Sequence, residues 1–174
     1  MSISNYELLR KRRIIDILIG NTQFDIDGEE FHMPYLSGPM ICDISTELGF
    51  PITYSWGGGA LSRWAYMDNL MIDLIKEDRM DDLLNYLFDL QQFQGLINGN
   101  NPEEIEIVHK KIVDGAIGEI NKILVFSKHE LKLVNNKYVV LGIDEFNVIE
   151  TDTPKVMDIP YSNSSTTCSM GITV

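Results

Sequence analysis

The chain has 174 residues, 44% of them apolar and 23% charged, with a net charge of −12 and a pI near 4.5. That length and apolar content suit one domain, or one domain with an appendage, and exclude a disordered chain. The acidity opposes direct nucleic-acid binding and docking on an anionic membrane, because both surfaces select Lys and Arg. It suits solubility, or a basic partner.

Residues 4–19 read as the first helix. Ser4 or Asn5 can cap it, Tyr6, Leu8, Leu9, Ile14, Ile15, Leu18 and Ile19 form its apolar stripe, and Gly20-Asn21 stops it. Arg10, Lys11, Arg12 and Arg13 stand together on it, a concentrated basic patch in an acidic chain. Such a run serves either as a solvated face paired with acidic neighbours or as an anion or partner site. Residues 21–35 read as irregular or extended. Phe24 to Asp27 alternate briefly and Asp27-Gly28 is a turn signal. The acids there do not make a calcium loop, since the sixth and twelfth positions from Asp25 hold Glu30 and Leu36 rather than Gly and Glu.

Residues 37–48 form a second helix, with Ser37 as N-cap, Pro39 early, and Gly49 then Pro51 beyond its end. Cys42 lies in its apolar pattern and reads as a buried thiol. Gly57, Gly58 and Gly59 precede Ser62 and Arg63, an arrangement that invites an anion at a helix N-terminus. No Gly-Lys-Ser/Thr follows and no hydrophobic strand precedes, so a loop before a helix is the simpler reading.

Residues 60–77 carry apolar groups at helical spacing, and residues 79–93 carry another such face. Trp64, Tyr66, Tyr86 and Phe88 are assigned to the core. Gly95 to Pro102 is a turn-rich linker and a candidate sub-division near 95–102. Pro102, Glu103 and Glu104 then open a long helix whose buried face continues to about Phe126. Glu130–Val134 and Lys137–Leu141 flank Asn135-Asn136, a hairpin turn signal. The resulting expectation is a mainly α, α+β fold. About five helices form a compact bundle with a small C-terminal hairpin over residues 1–150, and residues 151–174 form a loosely structured tail.

Catalytic apparatus is sparse. His32, His109 and His129 each stand alone, with no His or Cys at metal spacing, and His109 and His129 read as surface groups. The carboxylate pairs, such as Asp68 with Asp73, fall on polar helix sides. No cofactor or metal is expected. Two cysteines, Cys42 and Cys168, do not make a disulfide framework, and no apolar run reaches bilayer length. The expected compartment is the cytoplasm.

Three segments carry a family resemblance: Pro34-Tyr35-Leu36-Ser37-Gly38-Pro39, then Leu61-Ser62-Arg63-Trp64-Ala65-Tyr66-Met67, then Ile120-Asn121-Lys122-Ile123-Leu124-Val125-Phe126 with Glu130-Leu131. Over about residues 8–145 the chain resembles the N-terminal domain of bacterial abortive-infection family proteins. The resemblance implies a part in antiphage defence, as a sensing or docking region ahead of a helical domain of the HEPN ribonuclease class. The HEPN signature, Arg followed four to six residues later by His, occurs nowhere here, so ribonuclease activity does not carry over. Leu61 to Phe88 is also similar to death-like adaptor domains, which dock on like domains. The leading expectation is a non-enzymatic interaction module with a protein partner or a second copy of itself. Its contact would be Arg10, Lys11, Arg12 and Arg13, or the loop of Gly58, Gly59, Ser62 and Arg63. The alternatives are an acidic, phage-encoded inhibitor that mimics nucleic acid, or a metal-dependent hydrolase or nuclease.

Overall fold

A computed structural model describes residues 4–55, 59 and 61–143. The expectation for residues 151–174, and that for Gly58, lie outside the described residues. Among those described are five α-helices: α1 (Arg12–Leu18), α2 (Gly38–Glu47), α3 (Arg63–Lys76), α4 (Met80–Phe88) and α5 (Pro102–Leu124). Two antiparallel hairpins complete the order, β1 (Phe24–Ile26) with β2 (Glu29–Phe31) and β3 (His129–Val134) with β4 (Lys137–Gly142). The protein is mainly helical with a C-terminal hairpin, in the α+β class.

The first helix differs from its expected form. Asn5–Arg10 is a 3₁₀ helix, and Lys11 interrupts it with an extended backbone, φ −61° and ψ 137°. The carbonyl freed there starts α1 afresh, accepting from the amides of Ile14 and Ile15 at 3.0 Å each. The break splits the basic run between two elements. At the other end of α1, Gly20 closes a Schellman motif: its amide donates to Ile17 O and that of Asn21 to Asp16 O. Gly20 sits at φ +80°, and a Cβ there would stand 2.5 Å from the Pro34 carbonyl oxygen. Only glycine suits both the handedness and the space.

Of the two forms expected for residues 21–35, irregular or extended, residues 24–31 take the extended one, as a hairpin. Phe24 pairs with Phe31 and Ile26 with Glu29, and Asp27 and Gly28 both have positive φ, as a two-residue hairpin turn requires. The second hairpin uses the same device. Asn135 and Asn136 stand at φ 52° and 64°, so the short polar pair sets the register Val134↔Lys137. The helix over residues 79–93 also breaks. Asp89 turns extended and its carboxylate recaps a 3₁₀ turn, Leu90–Phe93, by accepting from the Gln91 amide.

One core joins all of these. Ile14, Ile15 and Leu18 of α1, Met67, Leu70 and Leu74 of α3, Leu83, Leu84 and Leu87 of α4, and Ile112, Ala116, Ile120 and Leu124 of α5 are buried together. Each large aliphatic contributes about 1.5–3 kcal/mol by leaving water. Residues from both sides of the 95–102 linker enter this core. The short C-terminal hairpin is held by α5. The Asn121 carboxamide accepts from Leu131 N at 2.6 Å and donates to Leu131 O at 3.0 Å, standing in for a neighbouring strand. On the far side Tyr6 donates to Tyr138 O and Asn5 to Val140 O.

Candidate docking surface

The basic run Arg10–Arg13 divides by function once folded. Arg10 turns inward. Its Nε and Nη2 grip the two carboxylate oxygens of Asp68 at 2.7 and 3.0 Å, and Nη1 meets Glu7 at 2.8 Å. These hydrogen bonds, Asp68's first, push the guanidinium pKa further up. Asp68 is buried, not on a polar helix side as its neighbours suggested, because Arg10 supplies the countercharge. Arg12 pairs with Asp16 at 3.5 Å and lies 5.2 Å from the Trp64 ring centre. Trp64 is only half-buried beneath it, and its indole nitrogen has no hydrogen-bond partner among the described residues. Lys11 is exposed at the break, and Arg13 is exposed on the other flank of α1.

The glycine-loop residues also serve the scaffold. Ser62 caps α3 by accepting from the Ala65 amide at 3.1 Å. Arg63 is a clamp: it donates to Leu36 O at 2.6 Å, Ile19 O at 2.8 Å and Asn21 Oδ1 at 3.0 Å. Its guanidinium also stacks 4.0 Å from the ring centre of exposed Tyr35. Gly59 is exposed in a turn. Ser62 and Arg63 are thereby committed to joining α1, α2 and α3 rather than to holding an anion.

What remains open lies between α1 and α5. A cleft of about 330 Å³ is lined by Arg13, Asp16, Ile17 and Thr22 on one side, and by Glu119, Lys122, Ile123 and Phe126 on the other. Phe126 is 90% exposed, and Val125 beside it is half exposed. Sequence periodicity assigned Phe126 to the buried face. The assignment fails because α5 ends at Leu124 and Val125–Ser127 is a 3₁₀ turn, whose tighter winding carries the ring round to the surface. Glu119 pairs with Lys122 at 2.7 Å and Asp16 with Arg12, whereas Arg13 and Lys128 have no ion pair among the described residues. The cleft lining thus holds two cations and two carboxylates, and of these four Arg13 is the one without an ion pair among the described residues. Phe126, Lys122 and Ile123 were not singled out from sequence as contact residues. The available clue was that a 3.6-residue period stops at a hairpin signal.

The histidines act as structural groups. A ring nitrogen of His32 lies 2.8 Å from Met33 O, one of His109 2.7 Å from Phe88 O, and one of His129 2.7 Å from Ser127 O. His109, expected at the surface, is half-buried edge-on to Phe93, with ring centres 4.8 Å apart. Cys42 is buried beside a cleft of about 300 Å³ between α2 and α3, where desolvation, with Asp43 adding repulsion, raises the thiol pKa and disfavours the nucleophilic thiolate. Among the described residues no group of His, Cys, Asp and Glu converges to hold a metal ion, and no helix is long and apolar enough to cross a membrane.

No family model matches the chain, and neither a curated protein nor a solved structure matches it.

Proposed function

We propose that this chain is a protein-docking module in antiphage abortive-infection defence, and that its α1–α5 cleft receives an acidic, aromatic- or aliphatic-bearing segment of a protein partner. The observation that carries the docking reading is Phe126, a large apolar side chain held almost wholly in solvent beside Arg13, a cation without an ion pair among the described residues. A buried aromatic anchor with a charged rim is the common composition of binding hot spots. Arg13 is the cleft cation that a carboxylate of the partner would meet, since Lys122 is already paired with Glu119. The defence setting is supported by the resemblance of Pro34–Pro39, Leu61–Met67 and Ile120–Phe126 to abortive-infection proteins.

The test is fluorescence anisotropy with a labelled peptide of Asp and Glu around a central Phe. Saturable binding that weakens with salt is expected, with Arg13→Glu and Phe126→Ala each weakening it at least about tenfold, the effect of about 1.4 kcal/mol. Equal binding by native protein and both variants, or no saturable binding by any chain, would overturn the reading.

A further inference from the structure

The linker between Phe93 and α5 holds a chemically reactive pair that the docking surface does not use, Asn98-Gly99. Asn98 is exposed, and its carboxamide has no hydrogen-bond partner among the described residues. The Gly99 amide donates to no acceptor among them either. The backbone bonds on its two sides are Ile97 N to Phe93 O and Ile105 N to Asn101 O, with none between. Neither residue lies in a helix or strand. Gly99 has no Cβ to obstruct approach to its nitrogen, and its backbone reaches conformations closed to other residues. Elsewhere the fold removes one or more of these conditions. The Asn121 carboxamide is held by Leu131, and Asn101 caps α5 and precedes Pro102, which has no amide proton. The first hairpin has a similar pair, Asp27-Gly28, but there the Gly28 amide donates to Asp25 Oδ1 at 3.0 Å. A carboxylate at that distance opposes loss of the amide proton.

We propose that Asn98 is a site of spontaneous intramolecular deamidation, with the Gly99 amide nitrogen as nucleophile. That nitrogen gives its proton to solvent base and attacks Asn98 Cγ. The new N–C bond closes a succinimide ring, the bond from Cγ to the side-chain nitrogen breaks, and ammonia leaves with a proton taken from solvent. Water then adds to one of the two ring carbonyls. Opening on one side gives an aspartyl residue at position 98. Opening on the other gives an isoaspartyl link, in which the main chain runs through the former side chain and is one carbon longer. One water is consumed and one ammonia released, with no oxidant or reductant. Either product sets a carboxylate at the cleft of about 220 Å³ that Asn98 lines with Glu30, His32 and Ile97. The isoaspartyl form also strains the packing. A Cβ at Gly99 would stand 2.9 Å from Ile105 Cγ1, so this stretch has no room for added length. The longer main chain presses on Ile105 near the start of α5 and loosens its seat beside Phe93 and Ile97.

The experiment incubates the full chain at mildly alkaline pH until a synthetic peptide of residues 94–101, kept in the same buffer, has reacted. Both are followed by peptide mapping and mass spectrometry. In the full chain the Asn98-bearing peptide should gain the mass difference between O and NH and split into aspartyl and isoaspartyl forms. The isoaspartyl form should accept a methyl group from an isoaspartyl methyltransferase. Conversion should rise with pH and run within about tenfold of the free peptide's rate, while Asn101 and Asn121 stay intact. Gly99→Ala should slow it at least about tenfold. Asn98→Gln should remove it, because the longer side chain closes a ring far less readily. An unconverted Asn98 in the full chain overturns the inference, and so do equal rates in the native and Gly99→Ala chains. An aspartyl product without isoaspartyl overturns it as well, since it means direct hydrolysis without the ring. That ratio is read on the native chain, so it decides the matter even where Gly99→Ala folds poorly against Ile105.

Discussion

Arg10 and Arg13 are three residues apart and chemically identical, yet one is locked to Asp68 and Glu7 while the other stands beside Phe126 without an ion pair among the described residues. Arg63 belongs with Arg10: its guanidinium is spent on two carbonyls, a carboxamide and an aromatic face. The contrast shows how a fold sorts equal charges. A guanidinium that meets fixed acceptors becomes part of the scaffold, and one that meets none remains available to a partner. The split at Lys11 makes the sorting mechanical, since the extended residue aims the two flanks of the run at different neighbours.

The comparison breaks most visibly at Asp68. Asp68→Ala leaves Arg10 with Glu7 as its remaining ion-pair partner and should cost about 2–3 kcal/mol in denaturant unfolding, at or below the low end for a fully buried pair because the Arg10 side chain is 31% exposed. Replacing both partners by apolar residues, Arg10→Met with Asp68→Leu, should recover most of that loss. Failure to recover would show that the pair contributes more than mutual compensation. Next in size, Arg63→Ala should cost about 2 kcal/mol by removing the side-chain donor to the Leu36 carbonyl and one of the two donors to that of Ile19, which keeps the Leu36 amide, with Lys unable to restore it because it lacks the planar fork. Gly20→Ala should cost a similar amount, about 2 kcal/mol, through its left-handed backbone and the Pro34 carbonyl.

Alkaline titration sharpens the scaffold side. Burial, with repulsion from Asp81 and Asp78, pushes the Tyr6 hydroxyl from 10.0 up to about 12. Below pH 10 that hydroxyl is protonated in both the folded and unfolded chain, and its contribution is whole. Between pH 10 and 12 the unfolded chain loses the proton first, so stability falls as pH rises. Burial raises Tyr86 and Tyr138 as well, which deepens the fall. Tyr6→Phe should flatten the slope of unfolding free energy against pH in that window, and an unchanged slope would remove Tyr6 as its source. The smallest stability effects belong to the open side. Arg13→Ala and Phe126→Ala should each shift stability by less than about 0.5 kcal/mol while weakening peptide binding, the reverse of the Arg10–Asp68 pattern.

Much of the fold was readable residue by residue. Ser37 and Pro39 start α2 and Gly49 ends it; Pro102 opens α5; Asn135-Asn136 turns the hairpin. These are local rules, satisfied within a few residues of chain, so no tertiary knowledge is needed to apply them. The failures share the opposite character. The burial of Asp68 and the inward turn of His109 each depend on an acceptor or counterion far along the chain. Phe126 was misplaced because a change from α to 3₁₀ winding alters azimuth without altering hydrophobicity. The candidate site was legible only in part. Arg13 was among the expected contacts, whereas its companions Lys122 of α5 and Phe126 of the turn after it lie more than a hundred residues away.

The amino-acid order by itself determined the course of α2, the opening of α5, the C-terminal hairpin and the acidic balance, because propensity, capping and turn chemistry act over short spans. Tertiary structure alone decided which cations became internal struts and which stayed open. A charge is committed by whatever acceptor the packed chain brings within hydrogen-bonding reach, and that proximity exists only after α1, α3 and α5 have met.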